Sequence, residues 1–405
     1  MSAQRTFWTL VIFSAAILAV TMGIRQSMGL FVSPLNTSTG LGIVTISFAM
    51  AVAQLTWGAA QPLFGMLADR IGSFQVIVVG TLLLAIGLAI TPYMRSGFGL
   101  VFAIGVITAA GAGAGSFSIL IGAAAQRLTA DQRSTAAGFI NAGGSMGQFI
   151  FAPLTQALIN TFSWVTALFV LAATALSSIL LALPLREKNT TARQPSNNLQ
   201  AGEITIREQL RIAFKDRSYL CLNAGFFTCG FHIAFLVTHL PGEVNLCGLP
   251  ASVGAASLAI IGLSNVIGSI VAGWLGQTKR MKMILLWMYA SRALAIAIYL
   301  MTPKTALTFY FFAAALGFTW LATVPPTAGL VGKLFGPRYL ATLFGFTLLS
   351  HQIGGFFGAW LGGVTLIQTG SYQWMWYADI ALALAAALVN IPIREAHPKP
   401  ALLMT

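Results

Sequence analysis

The sequence predicts an all-α membrane protein of twelve transmembrane helices, built as two related sets of six. Three observations lead there. The 405-residue chain is 57% apolar and only 8% charged, far from the make-up of a soluble globular domain. Apolar tracts of about 20 residues, each long enough to cross a hydrocarbon core as a helix, recur twelve times with short polar punctuation between them. Landmarks in the first half also return in the second half at a nearly constant offset of 207 residues, as between Pro34 and Pro241. A β-barrel is excluded, because barrel strands run to about 10 residues and alternate in polarity.

The first tract opens at Phe7 and runs through "TMGIRQSMGLFVSPL". It is too long for a secretory leader, and no small-residue cleavage site follows it cleanly. Later breaks fall near Pro34–Leu41, Ala68–Ser73, Pro92–Gly97, Gln126–Arg133 and Asn160–Ser163. In the second half they fall near Pro241–Ala251, Gln277–Lys282, Pro303–Ala306, Lys333–Tyr339 and Gln368–Tyr372. The longest polar segment, Arg186 to Arg217, divides the chain into a first bundle over 1–186, a linker over 187–217 and a second bundle over 218–405. It reads as a solvated connection, with an amphipathic stretch from Ile204 to Phe214 suited to a membrane surface.

The formal charge of +13 would suit a nucleic-acid partner if it were clustered. All the lysines and arginines except Arg25, Arg95, Arg292 and Lys304 lie at the termini or in alternate loops. That asymmetry sets orientation: both termini and the central loop are expected in the cytoplasm, in a bacterial inner membrane, with no nucleic-acid partner. Cys221, Cys229 and Cys247 form no disulfide framework. No ATPase motif, metal cluster or nucleophile triad is present, so neither a cofactor nor an enzyme activity is expected, and a sensor domain for a receptor is missing. "GAGAG" at Gly111–Gly115 lies inside an apolar tract with no following Lys-Ser or Lys-Thr, so it is no phosphate loop. It and the clusters "GGSMG" and "GGFFGAWLGG" suit close helix packing.

Gly65 in "GMLADRIG" and Gly273 in "GWLGQTKR" are 208 residues apart, while Gly138 and Gly345, and Gly147 and Gly354, repeat the 207 offset. "GMLADRIG" resembles the loop signature between helices 2 and 3 of the major facilitator superfamily, with its degenerate copy at the expected second place. The resemblance spans the chain. It implies a secondary transporter working by alternating access, with helices 1, 4, 7 and 10 lining a central cavity. Helices 2, 5, 8 and 11 would lie between the halves and 3, 6, 9 and 12 outside. In the motif, Gly65 lets a neighbouring helix approach, while Asp69 and Arg70 act in gating, through a helix cap or ion pairs that hold one access state closed. A plain charged turn is the alternative.

Arg25 is the residue that most needs a role, because a charge deep in an apolar tract is costly. Shifting by 207 gives His232, nine residues before Pro241 as Arg25 is nine before Pro34. The two are expected to face each other across the cavity. Arg25 then grips an anionic substrate, since guanidinium stays charged and binds carboxylate or phosphate in a bidentate fork. The alternative is a structural arginine satisfied by carbonyls and Gln or Asn side chains. His232 binds the same anion, carries a coupled proton, or is simply packed. His351 and Gln352 of "LLSHQIGG" are further cavity candidates. So are Gln54, Ser116, Ser118, Asn141, Gln148, Asn265 and Thr319, with Phe231, Phe235, Phe318 and Trp320 as apolar walls. Arg292 and Asp379, both deep in peripheral tracts, are expected to pair.

Within the superfamily, "HQIGGFFGAWLGG" and "GIRQSMGLFVSPL" look most like bacterial members near the monocarboxylate and oxalate/formate transporters. That resemblance implies a monocarboxylate carried by proton symport or anion exchange, by a monomer in the lipid bilayer. One departure stands out: those families place a substrate arginine in helix 8, and "LAIIGLSNVIGSIVAGWLG" has none. Organophosphate antiporters share a helix 1 cation and a helix 7 partner, so an organophosphate or inorganic-anion exchanger is the alternative. A proton-driven drug exporter fits less well, because Pro153 in "GGSMGQFIFAP" is displaced from the "GP" motif of such exporters and the cavity tracts lack acids.

Overall fold

A computed structural model of the chain describes residues 3–125, 127–128, 130–186, 206–336 and 340–395. The regular elements among them are helices. They are α1 (Ala3–Gln26), α2 (Val32–Thr39), α3 (Ile43–Ile71), α4 (Ser73–Ile90), α5 (Gly97–Leu100), α6 (Ala109–Ala114), α7 (Phe117–Ala125), α8 (Ala130–Thr161) and α9 (Trp164–Ala182). After the linker come α10 (Ile206–Ala213), α11 (Arg217–Leu246), α12 (Ala251–Thr278), α13 (Met281–Met301), α14 (Ala306–Phe318), α15 (Val324–Phe335), α16 (Leu340–Thr369) and α17 (Gln373–Val389). Nine spans among the described residues are long and apolar enough to cross a membrane. α8 and α16 are 32 and 30 residues long, and α17 is a shorter apolar helix of 17 residues. The expected surface stretch is helical as α10; Ile204 lies outside the described residues.

The helix ends follow the polar punctuation, but three tracts break internally. The first leaves α-geometry at Gln26, passes a 3-10 turn over Met28–Phe31 and resumes as α2. The fourth carries a π-helical stretch over Val101–Thr108 between α5 and α6, then bends at Gly115 before α7. The tenth stops at Phe318, makes a 3-10 turn over Leu321–Thr323 and restarts with Pro325 and Pro326 in the first turn of α15, where a proline's missing N–H is not needed.

Pro34 and Pro241 were expected to close their helices, and neither does. Pro34 sits in the first turn of α2, and α11 continues through Pro241 to Leu246. Pro241 has no N–H to offer the carbonyl of Val237 one turn back. Gly29 of the 3-10 turn packs directly on that carbonyl, so close that any side chain there would collide.

Glycines set the closest helix pairs. α1 lies along α8 and α11 along α16. Gly147 meets the backbone of Ala19, and its counterpart Gly354 meets the backbone of Phe227, so a closely similar contact, within one residue of the repeat offset, occurs in both halves. The first half meets the second where α3 packs on α16 and α8 on α12. Gly111 meets the backbone of α4 at Gly80 and Leu84, as close packing predicts for "GAGAG". Gly65 does not behave as expected: among the described residues a Cβ there would reach only the Ile119 side chain, at 4.0 Å, so no described helix contact depends on its lack of a side chain in this conformation. The side chains of Asp69, Arg70 and Ser118 lie outside the described residues.

Candidate functional site

Arg25 occupies the last turn of α1, where helix carbonyls run out of partners and favour a cation. Two residues of α3 meet it. The amide oxygen of Gln54 accepts from Nη2, and the ring of Trp57 lies under the guanidinium, 4.2 Å from its centroid, a cation–π contact. No carboxylate of a described residue lies within 4.0 Å of it. Arg25 forms a wall shared by two cavities. One, of about 60 Å³, lies between the first and second halves of the chain. The other, of about 40 Å³, is largely a first-half space that includes Gln54 and is closed by Val237 and Thr238 of α11.

The larger cavity is apolar on most sides, with Leu18, Phe226, Phe344 and Leu348 among its walls. Its polar groups are few. Gln26 contributes Oε1 and Nε2 and finds no hydrogen-bond partner for either. Gln352 donates Nε2 to His351 Nδ1 at 2.9 Å, which leaves Gln352 Oε1 and His351 Nε2 without partners. Asn141 and Ser145 of α8 and Gln61 of α3 complete the set. A buried polar atom without a partner costs about 1–3 kcal/mol, so this cavity is prepared for water or a polar ligand. Its volume holds a few water-sized groups. The sequence reading missed Gln26, Trp57, Gln61 and Ser145. Gln54, Trp57 and Gln61 stand at helical spacing, so the face that carries Gln54 could have led to the other two.

The sequence matches the model of the Major Facilitator Superfamily over residues 10–359. The chain belongs to the major facilitator superfamily. It is 24% identical over 390 residues to Monocarboxylate transporter 13 of Rattus norvegicus, covering 95% of this chain and 89% of that one. It is 20% identical over 380 residues to the uncharacterized MFS-type transporter YcxA of Bacillus subtilis (strain 168), covering 92% and 91%. To YhjX of Escherichia coli (strain K12), also an uncharacterized MFS-type transporter, it is 22% identical over 356 residues, covering 87% and 86%. The resemblance read from the loop motif and the repeat is therefore borne out, and the protein is a transporter and not an enzyme.

In this superfamily member several expected cavity residues lie elsewhere. His232 does not face Arg25. It is fully buried, and its Nδ1 pairs with Asp379 of α17. The reason lies in helix phase. His232, His239 and Glu243 fall on one stripe of α11, and Asp379 and Trp376 of α17, with Tyr372 just before its start, form the matching antiparallel stripe. Phe235 packs on Trp376 with centroids 4.9 Å apart, and His239 Nδ1 lies 3.3 Å from the Tyr372 hydroxyl. The expected Arg292–Asp379 pair does not form. Arg292 donates instead to the carbonyls of Thr319 (2.6 Å) and Trp320 (3.1 Å) at the break between α14 and α15. Asn265 is a brace and not a cavity residue: its Nδ2 donates to Ser145 Oγ at 2.7 Å and its Oδ1 accepts from Leu321 N at 2.9 Å. Phe318 is 40% exposed on the outer surface. Ser116 is buried at the bend before α7 and lines neither cavity. Gln54 lines the smaller cavity. Arg25, Asn141 and His351 come together at the larger one.

Proposed function

We propose that this protein is a secondary active transporter of a small organic anion, a monocarboxylate, moved by alternating access with proton symport or anion exchange. One observation carries the reading: Arg25 presents a permanent charge to a cavity between the halves with an amide and an aromatic face for company and no described carboxylate to neutralise it. The substrate supplies the missing charge. The relatives named as monocarboxylate transporters support the same class. A space of about 60 Å³ with one guanidinium suits a monoanion of a few heavy atoms better than an organophosphate, whose second charge would go unmatched. A cationic drug would meet Arg25 with no compensating acid.

In this reading twelve helices form six-helix bundles over 1–186 and 218–405, joined by 187–217. Charge asymmetry puts both termini on the cytoplasmic side of a bacterial inner membrane, and the monomer is the working unit. Gly65, Asp69 and Arg70 belong to the gate. A thermal-shift screen of purified protein against small carboxylates, phosphates and lipophilic cations tests the class. Carboxylates are expected to raise the melting temperature, because a ligand of the native state stabilises it by mass action. Stabilisation by phosphates or cations instead would overturn the assignment.

A further inference from the structure

We propose that the His232–Asp379 pair is the binding site for a coupled proton, set outside the substrate cavity, and that its charge decides whether Arg292 holds the break between α14 and α15. The proposal rests on the anion-transporter reading for what the proton is coupled to, and on the geometry of the second half for where the proton sits.

The pair is fully buried on both sides, yet it is not a finished structural contact. His232 Nε2, Asp379 Oδ1, and Nε and Nη1 of Arg292 are all buried without partners. A pair kept only for rigidity would not leave so many polar atoms idle, because each costs stability. These atoms are complementary: Asp379 Oδ1 accepts and Arg292 Nε and Nη1 donate. The His232 ring centroid is 6.0 Å from that of Trp320, and Arg292 already donates to the Trp320 carbonyl. The groups thus have two arrangements. When the pair holds an extra proton, Asp379 is neutralised by His232 and Arg292 stays on the carbonyls of Thr319 and Trp320, the arrangement seen here. When the proton leaves, the uncompensated carboxylate draws Arg292 off the break.

The break is part of the cavity wall. Leu321 and Val324 line the cavity, and Leu321 N is held by Asn265, which is tied in turn to Ser145 across the interface between the halves. Charge counting gives the direction of coupling. With His232 neutral, Asp379 and Arg292 cancel. One added proton leaves the cluster at +1, which a buried site tolerates best when an anion sits in the neighbouring cavity. Proton and anion therefore favour each other's binding, by reciprocal linkage. The other groups that bear on the pair are Tyr289, which stacks with Arg292 at 5.5 Å, and Cys229, whose Sγ lies 3.4 Å from Thr323 Oγ1. His351 of α16 shares the cavity wall with Arg25.

The test uses lactate as the probe, with full-length protein in proteoliposomes. Asp379→Asn keeps the shape and an acceptor for His232 but cannot carry the charge. It should lower lactate accumulation driven by an inward proton gradient by about tenfold or more, while lactate–lactate exchange at equal pH persists. Arg25→Ala should lose both. Accumulation retained by Asp379→Asn, or exchange lost in step with it, would overturn the proposal. A ligand-free readout separates it from the anion reading. Tryptophan emission from Trp320, isolated by subtraction of Trp320→Phe, should change with pH as the pair gains its proton, and Asp379→Asn and His232→Gln should abolish that step. If wild type carries no lactate, the anion reading falls and this titration decides the proton site. A flat Trp320 signal, or one that both variants keep, refutes it.

Discussion

The first turn-break of the chain and its counterpart 207 residues on begin from the same design and end in opposite electrostatic conditions. At Arg25, α1 stops one residue past the charge, and the guanidinium faces a cavity with Gln54 and Trp57 beside it. At His232, α11 runs on without interruption, and the imidazole turns away from the cavity to Asp379. One half leaves its charge unanswered while the other answers it internally. Two copies of one helix can thus divide the work. On the proposed reading, the copy with the unmatched charge binds an ion from outside, and the matched one stores a charge that the protein itself can change.

The sharpest way to break this comparison is to remove the unmatched charge. Arg25→Ala should abolish carboxylate-dependent stabilisation, a loss of about 2–5 kcal/mol in binding by analogy with desolvated charge pairs, and Arg25→Lys should weaken it less. Unchanged affinity in folded Arg25→Ala protein, read by thermal shift with lactate, would make Arg25 structural. A second test asks whether the halves are equivalent in packing. Gly147→Ala and Gly354→Ala both drive a methyl into a helix backbone, so each should destabilise by about 1–3 kcal/mol. Gly138→Ala and Gly345→Ala meet nothing within 4 Å among the described residues and should be neutral or slightly stabilising. Unequal costs within a pair would show that the contacts have diverged. Gln54→Glu would give the first half the internal acid that the second already has. It should raise the melting temperature of the empty protein and reduce the shift that lactate produces, measured in the same melt.

The smallest effect concerns helix starts. α4 begins behind Gly72 with no side-chain cap, whereas α13 begins under Glu395, which accepts from Met281 N and Lys282 N at 3.0 Å each and from Lys333 Nζ at 2.7 Å. Burial alone would raise the Glu395 pKa, but these donors and the lysine charge hold it below the ordinary 4.5. Its stabilisation is therefore complete above about pH 4.5 and is lost as pH falls through the lowered value. Glu395→Gln should cost about 0.3–1 kcal/mol at neutral pH, and the gap in melting temperature from wild type should close in acid.

Much of this was legible in the sequence. Helix ends could be read because glycine, proline and charge cannot continue an apolar span without cost, and Arg25 stood out because a permanent cation in such a span needs a reason. The repeat offset fixed the depth of His232 but not the azimuth of its side chain. That required noticing that His239 and Glu243 share its stripe of α11. Arg292 and Asp379 were matched by charge alone, and charge does not say which neighbours a helix faces. The break after Phe318 carried a signal in the double proline Pro325–Pro326, which fits a helix start better than an uninterrupted span. Asp69 and Arg70 remain readings of the motif, since their side chains lie outside the described residues.

Under the alternating access proposed above, the seat of Gly29 on the Val237 carbonyl bears on the speed of the cycle. Pro241 leaves that carbonyl with no amide donor one turn on, so parting the two helices there gives up no i→i+4 backbone bond at that point. The barrier is then set by separating apolar surface and letting water in, a motion on the order of microseconds to milliseconds, and not by unwinding a helix. A side chain at position 29 would wedge this end ajar. Turnover would then suffer through the time spent in the wrong access state, even with every ligand contact intact.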